Sequence, residues 1–267
     1  MTLGVVMLNS KYLLTLLVPI AFGLSRTVAA EERKIEENLV FSDPTVAKQQ
    51  DGWSGGFFLD VVRASTGITV QDTSGGNHDA SSTGTKVGFS GYVGKGDVSY
   101  LFSYHPAAGS IKVVSSAYTS STPIVTKNDV YEFNVRWLDR ENASWYVPYY
   151  LAGFAYLKGT WTVSDVVING VTEVNTTQGF IPVFGAGVII PQSEKYGYRL
   201  DARVGVGPMR QTSNLFSQWN SNSTGGFFRP SATVYYNLST DLNLQAGAQY
   251  DSWLNGTGLF FQLGKKF

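Results

Sequence analysis

The chain contains no cysteine, so neither a disulfide framework nor a thiolate metal site is open to it. Charge is also scarce: Asp, Glu, Lys and Arg supply only 15% of the residues. Even so, no stretch after residue 30 stays apolar for the ~20 residues that a membrane-spanning helix needs. Basic residues are not in excess. Removing residues 1–30 would take Lys11 and Arg26 and no acid, leaving 18 bases against 20 acids. That balance offers no surface for nucleic acid. Histidines number two, and no HExxH, Walker, Rossmann or nucleophile-elbow pattern occurs. No metal and no cofactor is expected.

The amino terminus reads as a delivery signal. Lys11 precedes an apolar run from Tyr12 to Leu24, and Ser25-Arg26-Thr27-Val28-Ala29-Ala30 follows. Val28 and Ala30 are small or short residues where a signal peptidase reads, so residues 1–30 are expected to be a secretory signal peptide, starting at Met1 or Met7. The alternative, a membrane anchor, is disfavoured by the shortness of the run. Residues 31–51 are then expected to form an N-terminal arm. Its EERKIEENL segment could hold a turn or two of helix, while Pro44 and the QQD run argue for a flexible tether. A periplasmic contact or a plug in a lumen is the other reading of this arm.

What is abundant is glycine (29), tyrosine (15), phenylalanine (16) and tryptophan (6), spread by alternation and not gathered in runs. Period-two alternation marks strands with different surroundings on their two faces. In one segment Val98, Tyr100, Phe102 and Tyr104 alternate with Ser99, Ser103 and His105. Another sets Tyr131, Phe133, Val135 and Trp137 against Glu132, Asn134 and Arg136. A third sets Tyr196, Tyr198, Leu200, Ala202, Val204 and Val206 against Arg199, Asp201 and Arg203, and a later one opposes Leu242, Leu244, Ala246, Ala248 and Tyr250 to Asn243, Gln245, Gln249 and Asp251. About ten such strands are expected between residues 52 and 267, with eight or twelve as the alternative counts. The connections alternate in length. Gly94–Asp97, Asp139–Ala143, Pro191–Lys195 and Leu238–Asp241 are short, whereas Ser65–Thr83, Pro106–Lys127, Lys158–Gln178 and Pro208–Gly225 read as long polar loops.

The last strand carries Leu259, Phe261, Leu263 and Phe267 on one face and ends the chain on an aromatic residue. In this it resembles bacterial outer-membrane β-barrels, with one departure at Lys265, a residue that can snorkel to a membrane surface. The resemblance implies a closed antiparallel up-and-down transmembrane β-barrel over residues 52–267, in the outer membrane of a Gram-negative cell. It places both termini in the periplasm. It also implies that Leu259, Phe261, Leu263 and Phe267 form the signal read by the outer-membrane barrel-assembly machinery. Lipid, including lipopolysaccharide, would be the partner of the outward wall.

Parity assigns Asp60, Lys86, Glu132, Arg136, Arg199, Asp201, Arg203 and Arg229 to the inner face. In a barrel of about ten strands, side chains can largely fill the interior. Opposite charges there are expected to pair, giving a narrow, largely occluded polar lumen and a structural or surface-interaction role. The alternative is a narrow channel for small solutes, with the arginines favouring anions. Catalytic signals are thin. The chain is similar to outer-membrane proteases of the omptin type in size and strand count, but the paired acids and His-Asp pair that such enzymes use have no clear counterpart. His78 beside Asp79, and Ser103 two residues before His105, are the candidates for a surface hydrolase. Tyr118, Trp161, Phe216, Trp219, Phe227 and Phe228 flank the loops, where an extracellular ligand or small solute would dock.

Overall fold

The computed structural model describes residues 43–46, 52–71, 77–111, 124–143, 145–253 and 256–267. The expected signal peptide, most of the arm and Tyr118 lie outside them. Ten strands follow one another: β1 (Ser54–Gln71), β2 (Asn77–Lys95), β3 (Val98–Ile111), β4 (Ile124–Leu138), β5 (Val147–Ile168), β6 (Val171–Pro191), β7 (Tyr196–Ser213), β8 (Ser221–Asn237), β9 (Leu242–Asp251) and β10 (Gly256–Lys266). A single turn of 3-10 helix, Ser217–Trp219, lies between β7 and β8. Each strand pairs antiparallel with the next, and β10 returns to β1, so the sheet is a closed up-and-down barrel.

Closure depends on the end of the chain. Gly56 faces Lys266 and Ala64 faces Gly258 in an unbroken β1–β10 register. Phe267 adds a further rung: its N–H donates to the Gly55 carbonyl at 3.0 Å, and its carbonyl accepts from the Gly55 N–H at 3.0 Å. A wall closed in this way has no sheet edge left to satisfy, which is the condition for a sheet in contact with lipid.

The outward face bears the apolar members of each alternation. Phe57, Leu59, Phe102, Phe133, Phe154, Phe180, Phe184, Val204, Val206, Leu244, Leu259, Phe261 and Leu263 are all exposed. On the same strands Phe58, Asp60, Glu132, Arg136, Asp201 and Gln245 are buried, and on β8 Arg229 is buried while Val234 is exposed. An apolar outside and a polar inside invert the pattern of a protein folded for water and suit one folded for lipid.

Two expectations about the connections need correction. The segments read as long loops are largely strand, because β1 and β2 run to Gln71 and from Asn77, and β5 and β6 run to Ile168 and from Val171. In these extensions Ser, Thr, Asn and Gly interrupt the apolar positions, so the period-two signal weakens while the ladder continues; Thr and Val favour extended backbone without it. The β5–β6 hairpin closes on Asn169 (φ 52°) and Gly170 (φ 78°), the two-residue left-handed turn that an Asn-Gly pair favours. That dipeptide lay unread in the sequence.

Proline sets where the wall weakens. The β2–β3 pairing ends at Phe89 and Tyr104, just before Pro106. The β6–β7 ladder pairs Gly179 with Met209 and then Val183 with Gly205, with no rungs between, across the stretch that holds Pro182 and Pro208. Each proline lacks the N–H a rung requires.

The outward set predicts that charge on this wall is penalised by depth. Val204→Arg should lower the stability of the barrel refolded into lipid vesicles by ~2–4 kcal/mol. Unfolding by denaturant measures it; a loss of only a few tenths would mean that β7 faces the other way or lies outside the bilayer.

Candidate functional site

Inward positions two residues apart on one strand share the lumen. Glu132, Asn134 and Arg136 come from β4, Arg199, Asp201 and Arg203 from β7, Arg229 and Ser231 from β8, and Gln245, Gln249 and Asp251 from β9. Their side chains meet in the middle. Glu132 accepts from Arg229 Nη1 at 2.6 Å and from Arg203 Nη1 at 2.9 Å. Three strands separate β4 from β8 along the wall, so the Glu132–Arg229 pair crosses the barrel instead of following its surface. Arg229 also holds Asp251, with Nη2 to Oδ2 at 2.7 Å and Nε to the same oxygen at 2.9 Å. Arg203 Nε donates to Asp201 at 3.1 Å, and Ser231 and Tyr149 donate to the other Asp201 oxygen at 2.9 and 3.3 Å. Asn134 donates to Glu132 at 2.7 Å.

Buried ions of this kind are stable only when their remaining donors and acceptors are also met. Here every carboxylate oxygen of Glu132, Asp201 and Asp251 has a partner, Asp251 Oδ1 accepting from the Trp253 N–H at 2.9 Å, and the Arg203 and Arg229 guanidiniums each bridge two acids.

A second cluster involves the arm. Asp43 is fully buried, and Arg199 Nη1 donates to both of its oxygens at 3.2 Å. Thr45 Oγ1 accepts from Arg136 Nη1 at 2.8 Å and from Arg199 Nη1 at 3.0 Å, and its carbonyl accepts from Arg136 Nη2. The segment is shaped for this. Asp43 Oδ1 takes the Thr45 N–H at 2.8 Å and the Thr45 hydroxyl at 2.7 Å, a local turn that Asp and Pro favour. Val46 then packs into an apolar cluster with Leu138, Val147, Tyr149, Ile189 and Tyr235. Burial alone would raise the Asp43 carboxyl; Arg199 and Arg136, with the two Thr45 hydrogen bonds, outweigh it and hold the group below its ordinary value. The arm residues 43–46 therefore lie inside the barrel, bridging β4 and β7, where the sequence favoured a tether.

Of the residues that parity sent inward, Glu132, Arg136, Arg199, Asp201, Arg203 and Arg229 converge in these two clusters. Asp60 is inward and fully buried but stands apart, hydrogen-bonded to Ser90 at 3.2 Å and Gln262 at 2.9 Å. Lys86 faces Val62 in register and is exposed; among the described residues it makes no ion pair. Asp43, Thr45 and Asp251 were not singled out. The polar parity of β9 was the available signal for Asp251, whereas nothing in the arm's composition announces its two arginine partners. Leu259, Phe261, Leu263 and Phe267 are all outward and exposed. His105 and Ser103 both line the lumen cavity. His78 and Asp79 sit in β2 opposite Val70 and Thr69, and their side chains lie outside the described residues. Among the described residues no group of three or more His, Cys, Asp or Glu could hold a metal ion.

No family model matches the chain, and no curated protein matches it. Solved structures do. Outer membrane protease OmpT from Escherichia coli is similar with a TM-score of 0.50 at 8% identity, over 84% of this chain and 99% of that one. Outer membrane protein OprG from Pseudomonas aeruginosa is similar with a TM-score of 0.37 at 10% identity, over 82% and 97%. The β domain of the Bordetella autotransporter BrkA has a TM-score of 0.39 at 12% identity, over 81% and 100%. At such identity the likeness to OmpT shows the fold alone, a closed up-and-down β-barrel of the kind found in bacterial outer membranes.

The cross-lumen pairing predicts asymmetric mutational costs. Glu132→Gln should destabilise by about 1.5–3 kcal/mol, because it weakens both cross-lumen hydrogen bonds yet leaves Arg203 with Asp201 and Arg229 with Asp251, while Glu132→Gln combined with Arg203→Met should cost more, because it leaves the buried Asp201 without a cation. A thermal or denaturant series on the refolded barrel reads both; equal tolerance of the single change and wild type would break the argument.

Proposed function

We propose that this chain is an outer-membrane β-barrel with a stoppered lumen, acting as a structural and surface-interaction protein and not as an open pore. The observation that carries the reading is that Glu132, Arg203 and Arg229 tie opposite walls together while Asp43 and Thr45 are gripped by Arg136 and Arg199.

The wall supports the membrane setting. Phe89, Tyr104, Tyr131 and Tyr156 form a cross-strand row over β2 to β5, with centroids 5.4, 4.7 and 6.2 Å apart. Tyr104 donates to Asp129 at 2.9 Å and Tyr156 to Gln178 at 3.0 Å. Beyond the row, the outward positions Asp129, Lys158 and Gln178 turn polar. Amphipathic rings at an apolar–polar boundary suit a bilayer interface. The start of β1 and the end of β10 lie with the short turns, such as Gly96-Asp97, which supports periplasmic termini and places the extended hairpins outside the cell. Those hairpins are then the surface for an extracellular ligand, and lipopolysaccharide is the neighbour of the wall. The protease activity in OmpT's description is not part of this reading.

Two experiments test it. Purified protein in planar bilayers should give no discrete conductance steps, and liposomes carrying it should swell in sugars and amino acids no faster than empty ones. Steady conductance would instead favour the narrow channel. Deleting Phe267 should reduce the folded, heat-modifiable form in the outer membrane, since it removes a rung with Gly55 and the terminal residue we propose the assembly machinery reads. Unchanged migration and yield of that variant would contradict the assembly role.

A further inference from the structure

Asp60 is the odd acid of the lumen. Asp43, Glu132, Asp201 and Asp251 each accept from an arginine. Among the described residues no cation reaches Asp60, which is fully buried on β1. Its Oδ1 accepts from Ser90 and Gln262, and its Oδ2 has no partner. The surroundings are apolar and aromatic: Phe58 and Val62 on its own strand, Tyr92 on β2 and Phe260 on β10, all buried. The Phe58 and Tyr92 rings stack with centroids 6.2 Å apart.

Asp60 and all four of these residues line one cavity that continues to Asn134 and His105. There the pattern repeats, because Asn134 Oδ1 and His105 Nδ1 are also buried without partners. Arg199, Arg203 and Arg229 line the same cavity, each already paired with an acid, so the groups left open on its wall are a carboxylate oxygen, an amide oxygen and an imidazole nitrogen beside aromatic rings. Arg136 Nε is likewise unpartnered on that wall, but its guanidinium is already committed to Thr45 through both Nη atoms.

A carboxylate buried among rings without a counter-ion is costly, and a positive charge that brings its own N–H donors removes that cost. Ring faces attract the same kind of ion. At this end of the cavity an anion would meet Asp60 and the open acceptors, while the arginines of the same cavity are already held by Asp43, Glu132, Asp251 and Thr45. A hard metal ion would find one carboxylate and aromatic rings where it needs several oxygens. We propose that the cavity around Asp60 binds a small organic ammonium ion, with its N–H groups on Asp60 Oδ2 and its alkyl part against Phe58, Tyr92 and Phe260. The inference goes beyond the stoppered-barrel reading and does not depend on whether the lumen conducts.

The test uses full-length protein refolded in detergent at neutral pH. Its thermal unfolding midpoint is followed in methylammonium chloride, sodium chloride and potassium chloride at equal ionic strength. Methylammonium should raise the midpoint saturably above both metal salts, and Asp60→Asn should abolish the difference while Glu194→Gln, in an exposed turn, keeps it. Equal midpoints in the three salts, or an undiminished methylammonium effect in Asp60→Asn, would overturn the proposal. Equilibrium dialysis of wild-type protein with radiolabelled methylamine gives a second reading that needs no variant. Saturable binding displaced by excess unlabelled methylamine supports the site, and its absence overturns it.

Discussion

The structure rests on the pairing of β1 with β10. A wall facing lipid cannot leave backbone N–H or carbonyl groups to water, so the sheet has to meet itself. It does so through a continuous register that ends on the Gly55–Phe267 rung. Once that seam closes, the parity of every strand is committed. The same alternation that turns Leu259, Phe261 and Leu263 outward turns Phe260 and Gln262 inward, and a one-residue slip would exchange the two sets.

Closure with ten strands makes a small interior, and charged side chains from facing walls meet across it. Glu132 is held between two arginines from the facing wall, and each of those reaches a further acid, Asp201 or Asp251. The arm adds to these contacts by placing a compact Asp-Pro-Thr turn between Arg136 and Arg199 and burying Val46 beside Tyr149 and Tyr235. Desolvating so many charges has value only if the pairing is mutual, which makes the lumen rigid as well as narrow. Asp60 departs from that rule, and its departure is what suggests a ligand.

Much of this was legible in the chain. Strict alternation in Val98–His105, Tyr131–Trp137 and Tyr196–Val206 gave strand identity and inward side together, because lipid and lumen impose opposite chemistry on neighbouring residues. Where Ser, Thr, Asn and Gly break up the apolar positions the pattern weakens, so the far ends of β1, β2, β5 and β6 read as loops. The Asn169-Gly170 turn was the surviving clue to the longest hairpin. Asp43 and Thr45 were hidden for another reason: their partners Arg136 and Arg199 lie 91 to 156 residues away, and no local pattern encodes so distant a contact. Asp251 was visible as a polar-face residue of β9, but its pairing with Arg229 followed only once the β8–β9 register, with Ser231 opposite Gln249, was known.

The central claim is that the barrel is stoppered by the chain's own arm, and its most direct measurement exploits the missing cysteine. Val46→Cys would carry the single thiol of the protein at a position that is fully buried in the apolar cluster against β4, β5, β6 and β8. The rate of its reaction with a water-soluble maleimide, in protein reconstituted in vesicles, reports whether that segment is docked. The account predicts labelling far slower than in denaturant, at a rate that rises when Arg136 and Arg199 are both replaced by alanine. Labelling as fast in the folded protein as in the unfolded chain would mean that the arm hangs free and the lumen lacks its stopper.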